Sequence, residues 1–302
     1  MASNKSLWRC GKCGFPYLVS LVNRWNSDGT MTQRLRRSYR IVIFPTEFLH
    51  GLFSNIETRL GLSIEHLAFE AQLNASKMLF LSVRGSRLLS RPAFAKRICV
   101  DQFNRLAMLT GMGLSSTIEY EPGRIGIARM TNPFQLQLMA ANVVGAFEFL
   151  ERCPFEYSWE EESSNVFVIT VRPSPDKPEI AERLKLEFPP RLPGDLKFDR
   201  CPRCHVPLAA TYLKWKENEG TIIDTRTGAR FMVSDGHMFN AVFRELEKEL
   251  GEEVNLMLVD AQREWTARHV ELLGLSPGDE ALDGDELKGA YRRYLDTLPV
   301  HG

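Results

Sequence analysis

Two short stretches, Cys10-Gly11-Lys12-Cys13-Gly14 and Cys201-Pro202-Arg203-Cys204-His205, decide how this 302-residue chain is read. Each is a Cys-x-x-Cys knuckle, the spacing that lets two thiolates reach one metal while backbone N–H groups point at the sulfurs. Zinc prefers four such ligands in a closed tetrahedron, and each stretch supplies two. The simplest solution is one structural zinc held by Cys10, Cys13, Cys201 and Cys204, clipping together segments 191 positions apart.

The surroundings of the two knuckles also match. At an offset of 191, Gly29 and Thr30 fall on Gly220 and Thr221; after one deletion, Ile56, Glu57, Gly61, Ala71 and Gln72 fall on Leu246, Glu247, Gly251, Ala261 and Gln262. An internal duplication of about 65 residues per copy is the expectation. Each copy reads as a knuckle, a strand, a turn, a second strand, an amphipathic helix ending at Gly61 or Gly251, and a further helix.

Only the first copy carries an insert. Its pattern predicts a helix over 92–110 with Ala95, Cys99, Phe103 and Leu106 on one stripe, strands over 115–120 and 124–130, a helix over 133–151, and closing strands over 155–159 and 166–171. The expected architecture is α+β with antiparallel sheets and packed helices. Residues 1–172 form the first lobe and 173–200, with six prolines and a short helical candidate from Glu179 to Leu186, form a linker; 201–302 are a second, truncated copy ending in a capping helix over 285–298.

Composition agrees with a packed protein: 44% of residues are hydrophobic and 25% charged. The apolar run around Leu136 to Leu150 is broken by Asn142, Gly145 and Glu148, so no membrane span is expected. Met1 to Trp8 carries no secretory pattern, which reads as a cytoplasmic protein, and there paired cysteines point to metal or redox chemistry rather than disulfides. Residues 201–302 carry 12 Lys+Arg against 18 Asp+Glu, leaving 26 against 20 for the first 200; this asymmetry suits docking of the halves and is too small to imply nucleic acid.

Other chemistries compete for the four cysteines. Cys201-Pro-Arg-Cys204-His205 matches a c-type haem attachment string, but Gly14 stands where a second histidine would be. A redox dithiol belongs at a helix N-terminus after a strand, whereas both knuckles are expected to precede strands. Two separate sites completed by His50 and His237 would need those residues to align, which they do not. An iron–sulfur cluster would use the same four thiolates. Cys99 and Cys153 read as small core residues.

From Arg40 to Pro173, less than half of the chain, the order of motifs resembles the 4-vinyl reductase, or hydrocarbon-binding, domain family, a relative of the haem-nitric-oxide-binding fold. The residues that carry the resemblance are Arg59-Leu60-Gly61, Gly111-Met112-Gly113, Ile118-Glu119-Tyr120, Pro133-Phe134, Gly145-Ala146-Phe147 and a final hairpin from Trp159 to Val171. That family comprises small-molecule sensors and tetrapyrrole-synthesis accessory proteins, so the resemblance implies an enclosed apolar pocket. Its candidate lining is Phe94, Phe103, Met108, Phe134, Met139, Phe147 and Trp159, residues that would equally serve as plain core.

Nucleotide-binding loops, His-Glu-x-x-His and Gly-x-Ser-x-Gly are absent from the sequence, and its six histidines show no metal-ligand spacing. The fold analogy makes His66 a conceivable haem ligand, though a surface histidine is the plainer reading. Basic residues gather at Arg34, Arg36, Arg37 and Arg40 and at Arg84, Arg87, Arg91, Lys96 and Arg97; the second copy lacks an equivalent, which favours a solvated face or a partner surface over nucleic acid. The functional expectation is a zinc-stapled, non-catalytic protein that binds a small apolar or aromatic molecule or a protein partner, a second copy included. The alternatives are a reductase or carboxylase component and a nucleic-acid-binding regulator.

Overall fold

The computed structural model describes residues 8–82, 92–176, 186–275 and 283–302. The fold is α+β, with two antiparallel sheets and helices packed against them. The first sheet has six strands in the order β1-β2-β3-β10-β9-β8. It joins β1 (Asn23–Trp25), β2 (Met31–Gln33) and β3 (Arg40–Pro45) from one half to β8 (Leu213–Lys216), β9 (Thr221–Asp224) and β10 (Arg230–Asp235) from the other. The seam is the antiparallel pair of β3 and β10, in register from Ile41↔Asp235 to Pro45↔Phe231. Each three-strand half lacks a partner for its inner edge, and pairing β3 with β10 satisfies both edges.

Beyond the seam the halves cross over. α2 (Thr46–Leu60) follows β3 and ends at Gly61 with φ 65°, while α6 (Gly236–Leu250) follows β10, N-capped by Asp235, and ends at Gly251 with φ 88°. α2 packs on α7 (Glu253–Leu272) of the other half, and α6 packs on α3 (Glu65–Ser82) of its own counterpart. α2 buries Phe48, Leu49, Leu52, Phe53 and Ile56, one face at helical spacing.

The insert forms the second sheet, ordered β4-β5-β7-β6, from β4 (Leu114–Glu121), β5 (Ile125–Thr131), β6 (Phe155–Ser163) and β7 (Val166–Pro173). α4 (Ala93–Leu109) and α5 (Leu136–Glu151) accompany it, and α5 also packs along α3. The expected stripe on α4 is rotated: Val100 and Ala107 are buried, whereas Leu106 faces solvent and Ala95, Cys99 and Phe103 are half-buried. On α5 the apolar residues at helical spacing, Met139, Ala140, Val143, Phe147 and Leu150, are buried, and Leu136 at its start is half-buried.

The insert is tied to the first sheet through the end of α4. Val233 N–H donates to Thr110 O at 2.7 Å, and Trp215 Nε1–H donates to Leu109 O at 2.8 Å. The Arg230 guanidinium donates to Asn132 O at 2.7 Å and Gly111 O at 3.1 Å, and burial pulls its pKa down to about 10. On the opposite side Trp25 Nε1–H donates to Val300 O at 2.9 Å, so the C-terminal helices α8 (Gly284–Leu295) and α9 (Leu298–His301) end where α9 seals the first hairpin. The capping helix expected over 285–298 is therefore two helices.

The described part of the proline-rich segment is pinned down. Leu196 N–H donates to Ser27 O at 2.8 Å, and Arg191 pairs with Asp28 at 2.7 Å. Almost all of the helical candidate, residues 179–185, lies outside the described residues.

Candidate functional site

The knuckles are built by local hydrogen bonds that repeat on both sides. Cys10 N–H donates to Phe15 O and Cys201 N–H to Val206 O, both at 2.9 Å. Gly14 N–H closes back on Cys10 O at 2.7 Å, and His205 N–H on Cys201 O at 2.9 Å. Each loop turns through a left-handed residue, Gly14 at φ 75° and His205 at φ 60°. A one-turn helical segment then separates each knuckle from its strand: α1 (Tyr17–Val22) before β1, and a 3-10 turn (Leu208–Tyr212) before β8. The direct step into a strand expected from the sequence is thus interrupted on both sides.

The seam of the first sheet brings the two loops face to face. The ligand atoms of Cys10, Cys13, Cys201 and Cys204 all lie within 4.8 Å of one another, three of the residues being buried and Cys13 half-buried. Cys10 and Cys201 sulfurs are 3.8 Å apart, and Cys13 and Cys204 sulfurs 3.4 Å. Four sulfurs this close could hold one metal ion; the Cys10–Cys201 spacing matches the roughly 3.8 Å between sulfurs of a tetrahedral ion with bonds of about 2.3 Å, and the Cys13–Cys204 spacing is shorter. All six cysteines are free of disulfides.

The electrostatics of the four thiols differ in pairs. Burial resists ionisation of Cys10, but the N–H groups of Cys13 and Lys12 and the neighbouring thiols outweigh it and bring Cys10 down to about 6. The Cys204 and Arg203 N–H groups lower Cys201 in the same way, with the Cys204 N–H the largest influence. Burial pushes Cys13 and Cys204 up. Each knuckle therefore has one cysteine whose ionisation the backbone donors favour and one whose ionisation burial opposes. Cys99 and Cys153 are half-buried, raised by burial, and outside the cluster.

Neither histidine weighed as a further ligand reaches the cysteines. His50 Nε2 donates to Phe134 O at 2.8 Å, and His237 Nε2 accepts from Arg40 N–H at 3.0 Å. His66 is a surface residue, its side chain 86% exposed and paired with Glu70 at 3.0 Å on the next turn. Of the basic residues, Lys96 pairs with Glu151 at 2.7 Å, and Arg84, Arg87 and Arg91 lie outside the described residues.

A second feature is a cavity of about 360 Å³ lined by residues of both apolar clusters of the core. α1, leaving the first knuckle, contributes Val19 and Val22; α4 and α5 contribute Phe103, Met139 and Phe147. Those last three are the only members of the sequence-predicted lining that reach it among the described residues. Phe134 is fully buried core elsewhere, and Met108 is half-buried off the cavity. Phe94, in the first turn of α4, is 70% exposed, and Trp159, on edge strand β6, is 46% exposed beside Phe167. Helical periodicity placed these side chains on faces without saying where each face ends.

The cavity also has walls that the sequence did not indicate. Asn23, Gln33 and Ile41 come from the first half of the six-stranded sheet, and Val233, Ser234 and Asp235 from β10. The pattern of β10, buried at all but its first residue, signals a central strand, and pairing it with β3 would have found them.

No family model matches the chain, and no curated protein or solved structure matches it either.

Proposed function

We propose that the chain is a zinc-clasped, non-catalytic binding protein that holds a small, mainly apolar molecule in the cavity between its two sheets and works in the reducing cytoplasm, where unpaired thiols persist. The observation that carries this reading is the junction itself. The four thiols clasp the two halves, and the cavity walls come from both halves and the insert. Its volume lies in the range that drug-sized ligands occupy, and its walls are predominantly apolar with a few polar groups. Zinc, when bound, supplies a fixed cross-link and no reaction step; the protein's own residues shape the cavity. The sequence resemblance to the hydrocarbon-binding family, and an origin of the two halves as copies, belong to the same proposal.

Metal analysis with thiol titration on native protein tests the clasp. One zinc per chain with four protected thiols out of six supports it; two metals or none rejects it. Titration of the protein with an apolar fluorescent probe tests the cavity, with saturable one-to-one binding expected.

A further inference from the structure

The surface beside the first knuckle is strongly basic. Residues 9–40 carry seven Arg or Lys against a single acid, Asp28, which Arg191 already neutralises at 2.7 Å. Lys12, Arg24, Arg34, Arg36, Arg37 and Arg203 make no ion pair with another described residue. Local hydrogen bonds gather these cations. Arg34 donates its backbone N–H to Val22 O at 2.8 Å and its guanidinium to Ser20 O at 3.3 Å, which fastens the loop over residues 34–38 against α1. Arg200 of the second knuckle, bonded to Trp25 O at 3.0 Å, is lowered from its ordinary pKa by burial and then by the charges of Arg24 and Arg34. Three guanidiniums within one another's fields repel, and an anionic surface would offset that repulsion.

Apolar side chains stand open on the same elements. Leu18, Leu21 and Val22 form an exposed stripe at i, i+3 and i+4 on α1, and Leu35, inside the arginine loop, is 98% exposed. Trp8, 71% exposed, lies against Tyr17 with ring centroids 4.5 Å apart, and Arg203 comes from the second half to 6.0 Å from that tyrosine ring. A nucleic acid would engage the cations and leave the four aliphatic side chains in water. A bilayer surface engages both, because guanidiniums meet headgroup phosphates while Leu and Trp side chains enter the boundary of the acyl region.

We propose that this face is a peripheral docking surface for an anionic lipid bilayer, with Leu35 and the exposed stripe of α1 at the headgroup boundary and the surrounding arginines on the lipid phosphates. The surface is distinct from the ligand cavity, and it stands or falls independently of what the cavity holds.

Flotation of the full-length, metal-loaded protein with lipid vesicles tests the surface. Vesicles of phosphatidylcholine with about one-third phosphatidylserine should carry the protein at physiological salt, and vesicles of phosphatidylcholine alone should not. Replacing both Arg36→Gln and Arg37→Gln should weaken binding by about tenfold or more, and Leu35→Ser by about 3–10-fold with the charge unchanged. All three residues are exposed, so the thermal melt and the protection of the four thiols should stay as in the parent protein. A labelled single-stranded oligonucleotide is the competing probe. The proposal is overturned by failure to bind the anionic vesicles, by equal binding to the neutral ones, or by a Leu35→Ser protein that binds as the parent does. Retention of the oligonucleotide in place of the vesicles at physiological salt overturns it as well.

Discussion

Arg200 of the second knuckle reaches across the molecule and donates its Nη2–H to the backbone carbonyl of Trp25 at 3.0 Å. The relationship is reciprocal, because Arg9 of the first knuckle donates to the carbonyl of Trp215 at 3.0 Å. Each arginine also braces its own loop, Arg200 on His205 O at 3.0 Å and Arg9 on Gly14 O at 3.3 Å. The two guanidiniums thus hold the knuckles in the mutual orientation that the four sulfurs require. Arg200→Met is expected to cost about 2 kcal/mol in denaturant unfolding, and Arg200→Lys to recover little, since a point charge cannot serve two carbonyls in a fixed fork. Full recovery by lysine would show that charge alone mattered.

The left-handed residues of the knuckles make a paired prediction. A Cβ at Gly14 would meet nothing within 4 Å, so Gly14→Ala tests backbone strain alone and should cost about 1–2 kcal/mol. His205 already bears that strain at φ 60°, and His205→Gly should stabilise the protein by up to about 1 kcal/mol without altering metal content. Thermal melts of the two variants should therefore move in opposite directions.

Metal removal should loosen both features together. Cys10→Ser or Cys201→Ser, or a strong chelator, is expected to lower Tm by at least about 10 °C and to weaken probe binding, because α1 runs from the first knuckle into the cavity wall. Cys99→Ser should leave metal content unchanged. Probe affinity that is indifferent to the metal would separate the cavity from the clasp.

Gly126 on β5 is where the ring of Phe147 rests. A Cβ there would come within 2.3 Å of that ring. Gly126→Ala should push Phe147 into the cavity, costing about 1–3 kcal/mol of stability and reducing probe affinity several-fold in fluorescence titration. Unchanged affinity would mean that the ring moves elsewhere.

Acid should weaken the C-terminal seal. Burial holds His301 down at about 4 and also lowers His269, both ring nitrogens of which lack partners among the described residues. Folded, these rings stay neutral, while the unfolded chain takes up their protons near pH 6.5. The unfolded state then binds more protons, so stability is full above about pH 6.5 and falls as pH drops to about 4, by at most about 3 kcal/mol for His301. Asp28, held at about 2 by Arg191 against the opposing effect of burial, loses its contribution only below about 4, outside this window. His301→Phe should flatten the Tm-versus-pH curve between pH 6.5 and 4; parallel curves would contradict it.

The parts of the molecule legible in the sequence are those governed by short, fixed spacings. Two cysteines three positions apart can only form one knuckle, and Gly61 and Gly251 mark helix ends because their φ angles, 65° and 88°, suit glycine. The same locality made the strands of the insert readable, with β5 expected over 124–130 and found at Ile125–Thr131. What tertiary structure alone decided is which edges and faces meet. The sequence by itself determined two thiol pairs, their hairpins and an α+β insert between them. The pairing of Ile41–Pro45 with Phe231–Asp235 decided that the four sulfurs converge and that Ile41 and Val233 share a cavity wall, while Phe94 and Trp159 were left in solvent. The physical reason is that periodicity records only that a side chain needs burial, and the partner that buries it, nearly two hundred residues away, is chosen by the free energy of the assembled core.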